Sequence, residues 1–193
     1  AIGCHNINLV SPTHVVPQIL PALVLAAQQG LSIPLVYNTG GYDRLETLAL
    51  LDGVVDIYMP DMKYSHAESA LKYSLVPNYP KVNRAAVKEM HRQVGDLILD
   101  DQDIAQRGLL VRHLVLPGGL AGTAEIVEFL AREISKNTYL NVMDQYRPSY
   151  RADQLPPLNR RITRQEYEEA VQLAHAAGLH RLDDRRRPIL ILR

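Results

Sequence analysis

The sequence predicts an α/β fold with parallel strands, either barrel-like or doubly wound. Two observations carry that prediction. Apolar strand-like runs alternate with amphipathic helical stretches along the chain, and such alternation means parallel strands joined by crossover helices. Polar side chains then collect where those runs end, and open α/β sheets and barrels bind their ligands at the carboxyl ends of their strands.

A chain of 193 residues suits a single domain with a proper core, and no linker-like stretch divides residues 1–193. Lys+Arg and Asp+Glu balance at 21 each, so charge points to neither a nucleic acid nor a membrane surface. No apolar stretch approaches the roughly 18 residues of a spanning helix. One cysteine, Cys4, excludes an internal disulfide and a cysteine-only metal site, and is compatible with a reducing, cytoplasmic setting. The residues before the first strand show no charged n-region or apolar h-region, which gives the expectation of no signal peptide. The chain enters that strand within a few residues of Ala1, which gives the expectation of a domain truncated at its N-terminus.

The first strand is Asn6-Ile7-Asn8-Leu9-Val10. Val15, Val16, Ile19, Leu20, Leu23 and Val24 then recur at helical spacing, predicting a helix over 15–29 that Gly30 stops. Pro17 suits its first turn and Pro21 should kink its interior. A short buried strand, 33–37, leads to the turn Asn38-Thr39-Gly40-Gly41. Asp43 and Glu46 have the spacing of a capping box for a helix with Leu45, Leu48 and Leu51, closed by Gly53. The third strand opens at Val55 and runs into Pro60-Asp61-Met62-Lys63. Beyond it come a short helix over 67–73 and a longer one over 83–94, apolar at Ala86, Val87, Met90 and Val94. Leu97-Ile98-Leu99, the turn Asp100-Asp101-Gln102-Asp103 and Gly108-Leu109-Leu110 predict a small hairpin feeding the strand 110–116. Thr123 is placed to cap a helix whose inner face carries Ile126, Val127, Leu130 and Ile134. The strand 139–143 follows, then a Pro-rich loop over 147–161 that could lid a site. Thr163-Arg164-Gln165-Glu166 is a capping box for a last helix to Ala177. The tail carries Arg185-Arg186-Arg187, too short a run to argue nucleic-acid binding, and an apolar stretch over 189–192.

The candidate site residues sit at the strand ends: Ser11 and Thr13, Asn38 and Thr39, Asp61 and Lys63, Arg112, then Asp144 and Tyr146. Strand side chains alternate, so Asp61 and Lys63 point the same way if the chain stays extended. Lys63 and Arg112 could clamp a carboxylate by charge-assisted hydrogen bonds worth about 1.5–3 kcal/mol each. Asp61 could hold Lys63 or accept from a ligand amine or hydroxyl. Arg112 interrupts an apolar strand, where an unpaired buried charge is not tolerated; a helix-facing ion pair is the other reading. A surface salt bridge is the bland reading of Asp61 and Lys63. Gly40-Gly41 and Gly118-Gly119 could cradle an anion, though a Gly-Gly turn alone is weak. Cys4, His5 and His14 match no zinc spacing, and Asp100–Asp103 lacks the glycine and glutamate of a calcium loop.

At these strand ends the sequence resembles a radical S-adenosylmethionine (SAM) protein of the glycyl-radical-activating type, on the branch related to pyruvate formate-lyase activating enzyme. The likeness lies in the stretches GCHNINLVSPTH from Gly3, YNTGGY from Tyr37, DIYMPDMKY from Asp56 and VRHLVLPG from Val111, and it covers nearly the whole chain. It implies a partial TIM-type (β/α) barrel with five of the family's six βα units present. It implies further that Asp61 and Lys63 are a SAM-contacting pair, that Arg112 helps bind the methionyl carboxylate, and that Asp144 and Tyr146 lie near the adenine. The family's Gly-Gly-Glu after the second strand is replaced by Ser11-Pro12-Thr13, so Ser11 and Thr13 carry over only weakly. Its [4Fe–4S] cluster needs a C-x₃-C-x₂-C loop, and Fe–S clusters need thiolate ligands. Cys4 alone cannot hold one, so the chain by itself is expected to make no 5′-deoxyadenosyl radical. The substrate the resemblance implies is a protein glycine or another unidentified group.

Two other functions fit the residues. One is a TIM-barrel-like lyase with Lys63 as a Schiff base. The other is a cluster-less binding module that recruits a partner through the unpaired edge of its first strand.

Overall fold

The computed structural model describes residues 3–183. The tail expectations, the Arg185–Arg187 run and the apolar stretch over 189–192, lie outside the described residues.

Five strands run parallel: β1 (Ile7–Val10), β2 (Leu35–Thr39), β3 (Ile57–Pro60), β5 (Ala105–Leu114) and β6 (Tyr139–Met143). A short β4 (Ile98–Leu99) pairs antiparallel with the start of β5, forming the expected hairpin. The Asp100 carboxylate closes its turn by accepting from the Gln102 and Ile104 amides, each at 2.9 Å. The sheet order is β1-β2-β3-β5-β4 with β6 on β5, so the sheet is open, and β1 is its edge among the described residues.

The helices are α1 (Val16–Gln28), α2 (Leu45–Ala49), α3 (Ala67–Ser74), α4 (Tyr79–Val94), α5 (Thr123–Phe129) and α6 (Arg164–Ala176). Their distribution decides between the two architectures. Leu48 of α2, Ala86, Val87 and Met90 of α4, Ile126 of α5 and Ala170 and Ala174 of α6 share one core with Tyr37, Tyr58, Leu109, Val111 and Leu140 of the strands. A smaller cluster joins Val36, Ile57 and Leu97, with Met59, Leu99, Ala105, Leu110 and Tyr139 packed on it, all from strands or their approaches. Helices on one face and strand side chains on the other make a partial (β/α) barrel, not a doubly wound sheet. β2 is buried at every position, as a parallel strand covered on both faces should be.

Several elements depart from the sequence expectation for identifiable reasons. α4 begins at Tyr79, a full turn before the expected start, because Pro80 in the first turn costs no hydrogen bond. Asp43 does not cap α2: its carboxylate turns inward and accepts from Thr13 Oγ1 at 2.7 Å, Tyr37 Oη at 3.0 Å and Thr39 Oγ1 at 2.7 Å. Three hydroxyls, two of them buried, satisfy a carboxylate that a solvent-facing cap would leave half hydrated, and α2 shrinks to five residues with Arg44 at its N-cap. Thr123 is the first helical residue of α5, not its cap; Gly122, at φ 67°, takes that place. The capping box at Thr163 and Glu166 forms as expected, with bonds of 3.1 and 2.7 Å.

The loop over 147–161 is packed down. Ala152 and Leu158 are buried with Tyr64, Tyr79, Leu116 and Ala121, and the Tyr146 hydroxyl donates to the Leu158 carbonyl at 2.7 Å. It forms a fixed wall beside the carboxyl ends of β5 and β6. No helix among the described residues is long and apolar enough to cross a membrane.

Candidate functional site

The ends of β3 and β5 meet at one rim. After Pro60 the chain stays extended for three residues, and Asp61 forms a parallel bridge with Arg112. The side chains alternate accordingly. Met62 is buried at 1% exposure, while Asp61 and Lys63 both turn to the rim and pair directly, carboxylate to ammonium. β5 alternates in the same way: Val111 and His113 are fully buried toward the helices, and Arg112 and Leu114 face the rim.

Arg112 closes on the same carboxylate from the neighbouring strand. Its Nη2 lies 2.6 Å and its Nε 2.8 Å from Asp61 Oδ1, while Lys63 takes Oδ2. The three side chains are 15%, 26% and 39% exposed for Asp61, Arg112 and Lys63, so the pairing is sheltered without being sealed from water. One carboxylate between two cations leaves a net positive charge. A ligand carboxylate can share those donors, whereas an isolated cation would be repelled.

This trio forms one side of a groove of about 460 Å³, also lined by Leu114, Met143, Gln145, Tyr146 and Arg147. Leu114 and Met143 supply apolar surface, Gln145 an amide, Tyr146 an aromatic ring and Arg147 a further cation. Burial raises the Tyr146 phenol above its ordinary pKa, so that group stays protonated and keeps its bond to Leu158. A groove of this size, mostly apolar with a few convergent charges, is what a small zwitterionic ligand with an aromatic part requires.

The other expected residues stand apart from the groove lining. Thr13 and Thr39 give their hydroxyls to Asp43, and Thr39 is only 3% exposed. Asn38 is buried at 9% exposure, and its carbonyl accepts from the Ser11 amide at 2.7 Å. Ser11 itself is exposed in a left-handed conformation at φ 52°. Asp144 follows β6 half-buried, outside the lining. In each Gly-Gly turn one amide is already engaged within the protein: the Gly41 amide donates to Thr39 Oγ1 at 3.2 Å, and the Gly118 amide donates to Glu166 at 2.7 Å. Among the described residues no group of three or more His, Cys, Asp or Glu side chains is placed to hold a metal ion.

Gln145 and Arg147, flanking Tyr146, were missed because loop residues after a strand carry no periodicity. So were Tyr79 and Asn83 of α4, and His113. His113 is fully buried, with Nδ1 2.8 Å from the Met62 carbonyl and Nε2 2.9 Å from Thr123 Oγ1. The partners assign its neutral tautomer: Nδ1–H donates to the carbonyl and Nε2 accepts from the hydroxyl. Burial holds its pKa below the ordinary histidine value, partly opposed by the bond to Met62. A polar residue alternating with apolar ones in a strand was the available signal, and only the fold supplied its two partners.

No protein-family model matches this chain. An uncharacterized protein of Methanocaldococcus jannaschii is 35% identical over 182 residues, which cover 93% of this chain and 48% of that protein. The chain therefore spans about half the length of this curated relative. The crystal structure of a domain of pyruvate-formate lyase-activating enzyme from Bacteroides vulgatus superposes with a TM-score of 0.62, covering 92% of this chain and 96% of that one at 14% identity. Likeness at that identity is one of fold: both chains are partial barrels of the same kind.

Proposed function

We propose that this chain is the SAM-binding part of a radical SAM protein related to the pyruvate formate-lyase activating enzymes. The observation that carries the reading is the meeting of Asp61 and Lys63 from one strand end with Arg112 from the next, at the rim of a groove with apolar walls. The fold shared with a domain of such an enzyme supports it.

The residues present fit SAM. Arg112 and Lys63 would meet its carboxylate, and Asp61 keeps both cations extended toward the groove in the meantime. Leu114, Met143 and Tyr146 would flank the apolar and aromatic parts and exclude water from them. In the family, SAM supplies a 5′-deoxyadenosyl radical when a reduced [4Fe–4S] cluster stands beside it. The residues of this chain do not fit that cluster, because Cys4 is the single cysteine and lies exposed before β1. The chain's own part is thus to bind and orient SAM, for action on a protein glycine or another group. One exposed cysteine suits a cytoplasmic, reducing setting. The β1 edge, with Ile7 and Val10 exposed at 37% and 67%, is offered as a surface for strand association.

Calorimetric titration of the chain with SAM tests the reading. Each of Lys63→Ala and Arg112→Ala should weaken binding about ten- to hundredfold, as the loss of a charge-assisted hydrogen bond predicts. No binding by the wild type at millimolar SAM, or full affinity in Arg112→Ala, would refute it. The Schiff-base alternative requires a desolvated, neutral amine, whereas Lys63 is 39% exposed and paired with a carboxylate. Borohydride trapping of a carbonyl substrate on Lys63 would revive it.

A further inference from the structure

The three residues after β3 run on past the last strand residue, Pro60, and their backbone is held almost atom by atom. The Asp61 amide still donates to the Thr39 carbonyl at 2.9 Å and the Met62 amide to the Arg112 carbonyl at 2.8 Å. Side chains take over from there. The Asp61 carbonyl accepts from the Tyr79 hydroxyl at 3.1 Å and from Asn83 Nδ2 at 2.9 Å. The Met62 carbonyl accepts from His113, and the Lys63 amide donates to the Tyr79 oxygen at 3.1 Å. Tyr79 and Asn83 sit one turn apart on α4, and both also grip the turn after β2. Tyr79 Oη lies 2.9 Å from the Gly40 carbonyl, and Asn83 Nδ2 lies 2.9 Å from the Gly41 carbonyl.

We propose that Tyr79 and Asn83 are positioning residues of the rim: they fix the turn after β2 against the end of β3 and so aim the Asp61–Lys63 pair into the groove. This rests on the reading of that rim as a ligand site. Asn83 is fully buried, and its Oδ1 has no hydrogen-bond partner. Turning the amide over would set Oδ1 against two carbonyl oxygens, so the observed orientation is the favourable one and the orphan acceptor is its consequence. A residue there only to fill space would be apolar and leave nothing unsatisfied. Gly41 is shaped to the same purpose: a Cβ there would lie 2.2 Å from Asn83 Nδ2 and 2.3 Å from the Asp61 carbonyl. Tyr79 is stacked on Tyr42 at a centroid distance of 6.1 Å and meets Tyr64 edge-on at 5.9 Å, which holds its hydroxyl in place.

The test uses the 193-residue chain with Tyr79→Phe, which removes the hydroxyl alone, and Asn83→Leu, which keeps the branched shape and removes both the amide's donors and its orphan acceptor. Two readouts are taken: SAM affinity by calorimetry, and the rate of amine acylation at Lys63 relative to Lys81 and Lys136 by peptide mass spectrometry. In each variant Lys63 should acylate about two- to tenfold faster and SAM affinity should fall by a similar factor, the net effect expected at the rim when a bracing side chain's hydrogen bonds are lost. The control lysines should not change. Unchanged Lys63 reactivity in a folded variant overturns the proposal, as does failure of both variants to fold, which would make the two residues purely structural. If the wild type binds no SAM, the proposed function falls while the Lys63 rate still decides the positioning role.

Discussion

Removing the Asp61–Arg112 contact in a double-mutant cycle gives the sharpest test of how the rim is built. The perturbations are Asp61→Asn, Arg112→Met and the two together. At about 4 Å and an effective dielectric near 20, a charge pair is worth about 4 kcal/mol before desolvation is subtracted. Here two guanidinium nitrogens reach one carboxylate oxygen at 2.6 and 2.8 Å, with side chains 15% and 26% exposed. The groove admits water, so the net coupling should fall to about 1.5–3 kcal/mol, the usual worth of a hydrogen bond between charged groups. Lys63 also holds Asp61, but its ammonium is 39% exposed and largely screened, so it compensates little. Each single variant should therefore lose about 2 kcal/mol, and the double variant should lose clearly less than the sum. Urea denaturation reads this as midpoint shifts at unchanged slope. In thermal melts each single variant should drop by about 4–8 °C for a chain of this size. Additivity within about 0.5 kcal/mol would refute the reasoning, because it would make the trio an ordinary solvent-screened surface pair.

His113 makes the fold pH-dependent. Its folded pKa is depressed, chiefly by burial, so the unfolded chain takes up the proton first. Stability is then full above about pH 6.5 and falls as pH drops below that, by at most about 1.4 kcal/mol per unit. Denaturation between pH 7 and 5 should show this loss in the wild type and a flatter profile in His113→Gln. Gly41→Ala should cost about 3 kcal/mol or more, since its Cβ meets backbone and a buried amide at φ 74°, whereas Gly53→Ala, at φ 76° with nothing within 4 Å, should cost only about 1 kcal/mol. Equal losses in the two would contradict the close approach of Asn83. Thr163→Ala removes the hydroxyl that caps α6 and should cost about 1 kcal/mol in the same assay.

Much of this architecture was legible in the residues because it follows from short-range rules. The apolar runs of β2, β3 and β5 announce buried parallel strands, Thr163 and Glu166 announce a helix start, and the period-two geometry of Asp61-Met62-Lys63 announces two charges on one side. The failures share a cause. Asp43 has the spacing of a cap, and Thr123 stands where a cap could be. In both, a buried polar group on the preceding strand outcompetes the helix backbone: Tyr37 and Thr39, joined by Thr13 from 30 positions away, in one case and His113 in the other. The start of α4 at Tyr79, four residues before the expected 83, is decided by Pro80, whose cost depends on which turn of the helix it occupies.

By itself, then, the sequence determined the alternation of strands and helices, their polarity pattern and the charged residues at the rim, since these depend on neighbours within a few positions along the chain. Only the tertiary structure decided that the helices share one face, that Asp61 is held by Arg112 from 51 positions away, and that Tyr79, Asn83 and His113 brace the strand end. The physical reason is that buried polar groups must find partners, and which partners are within reach depends on how the layers close around them.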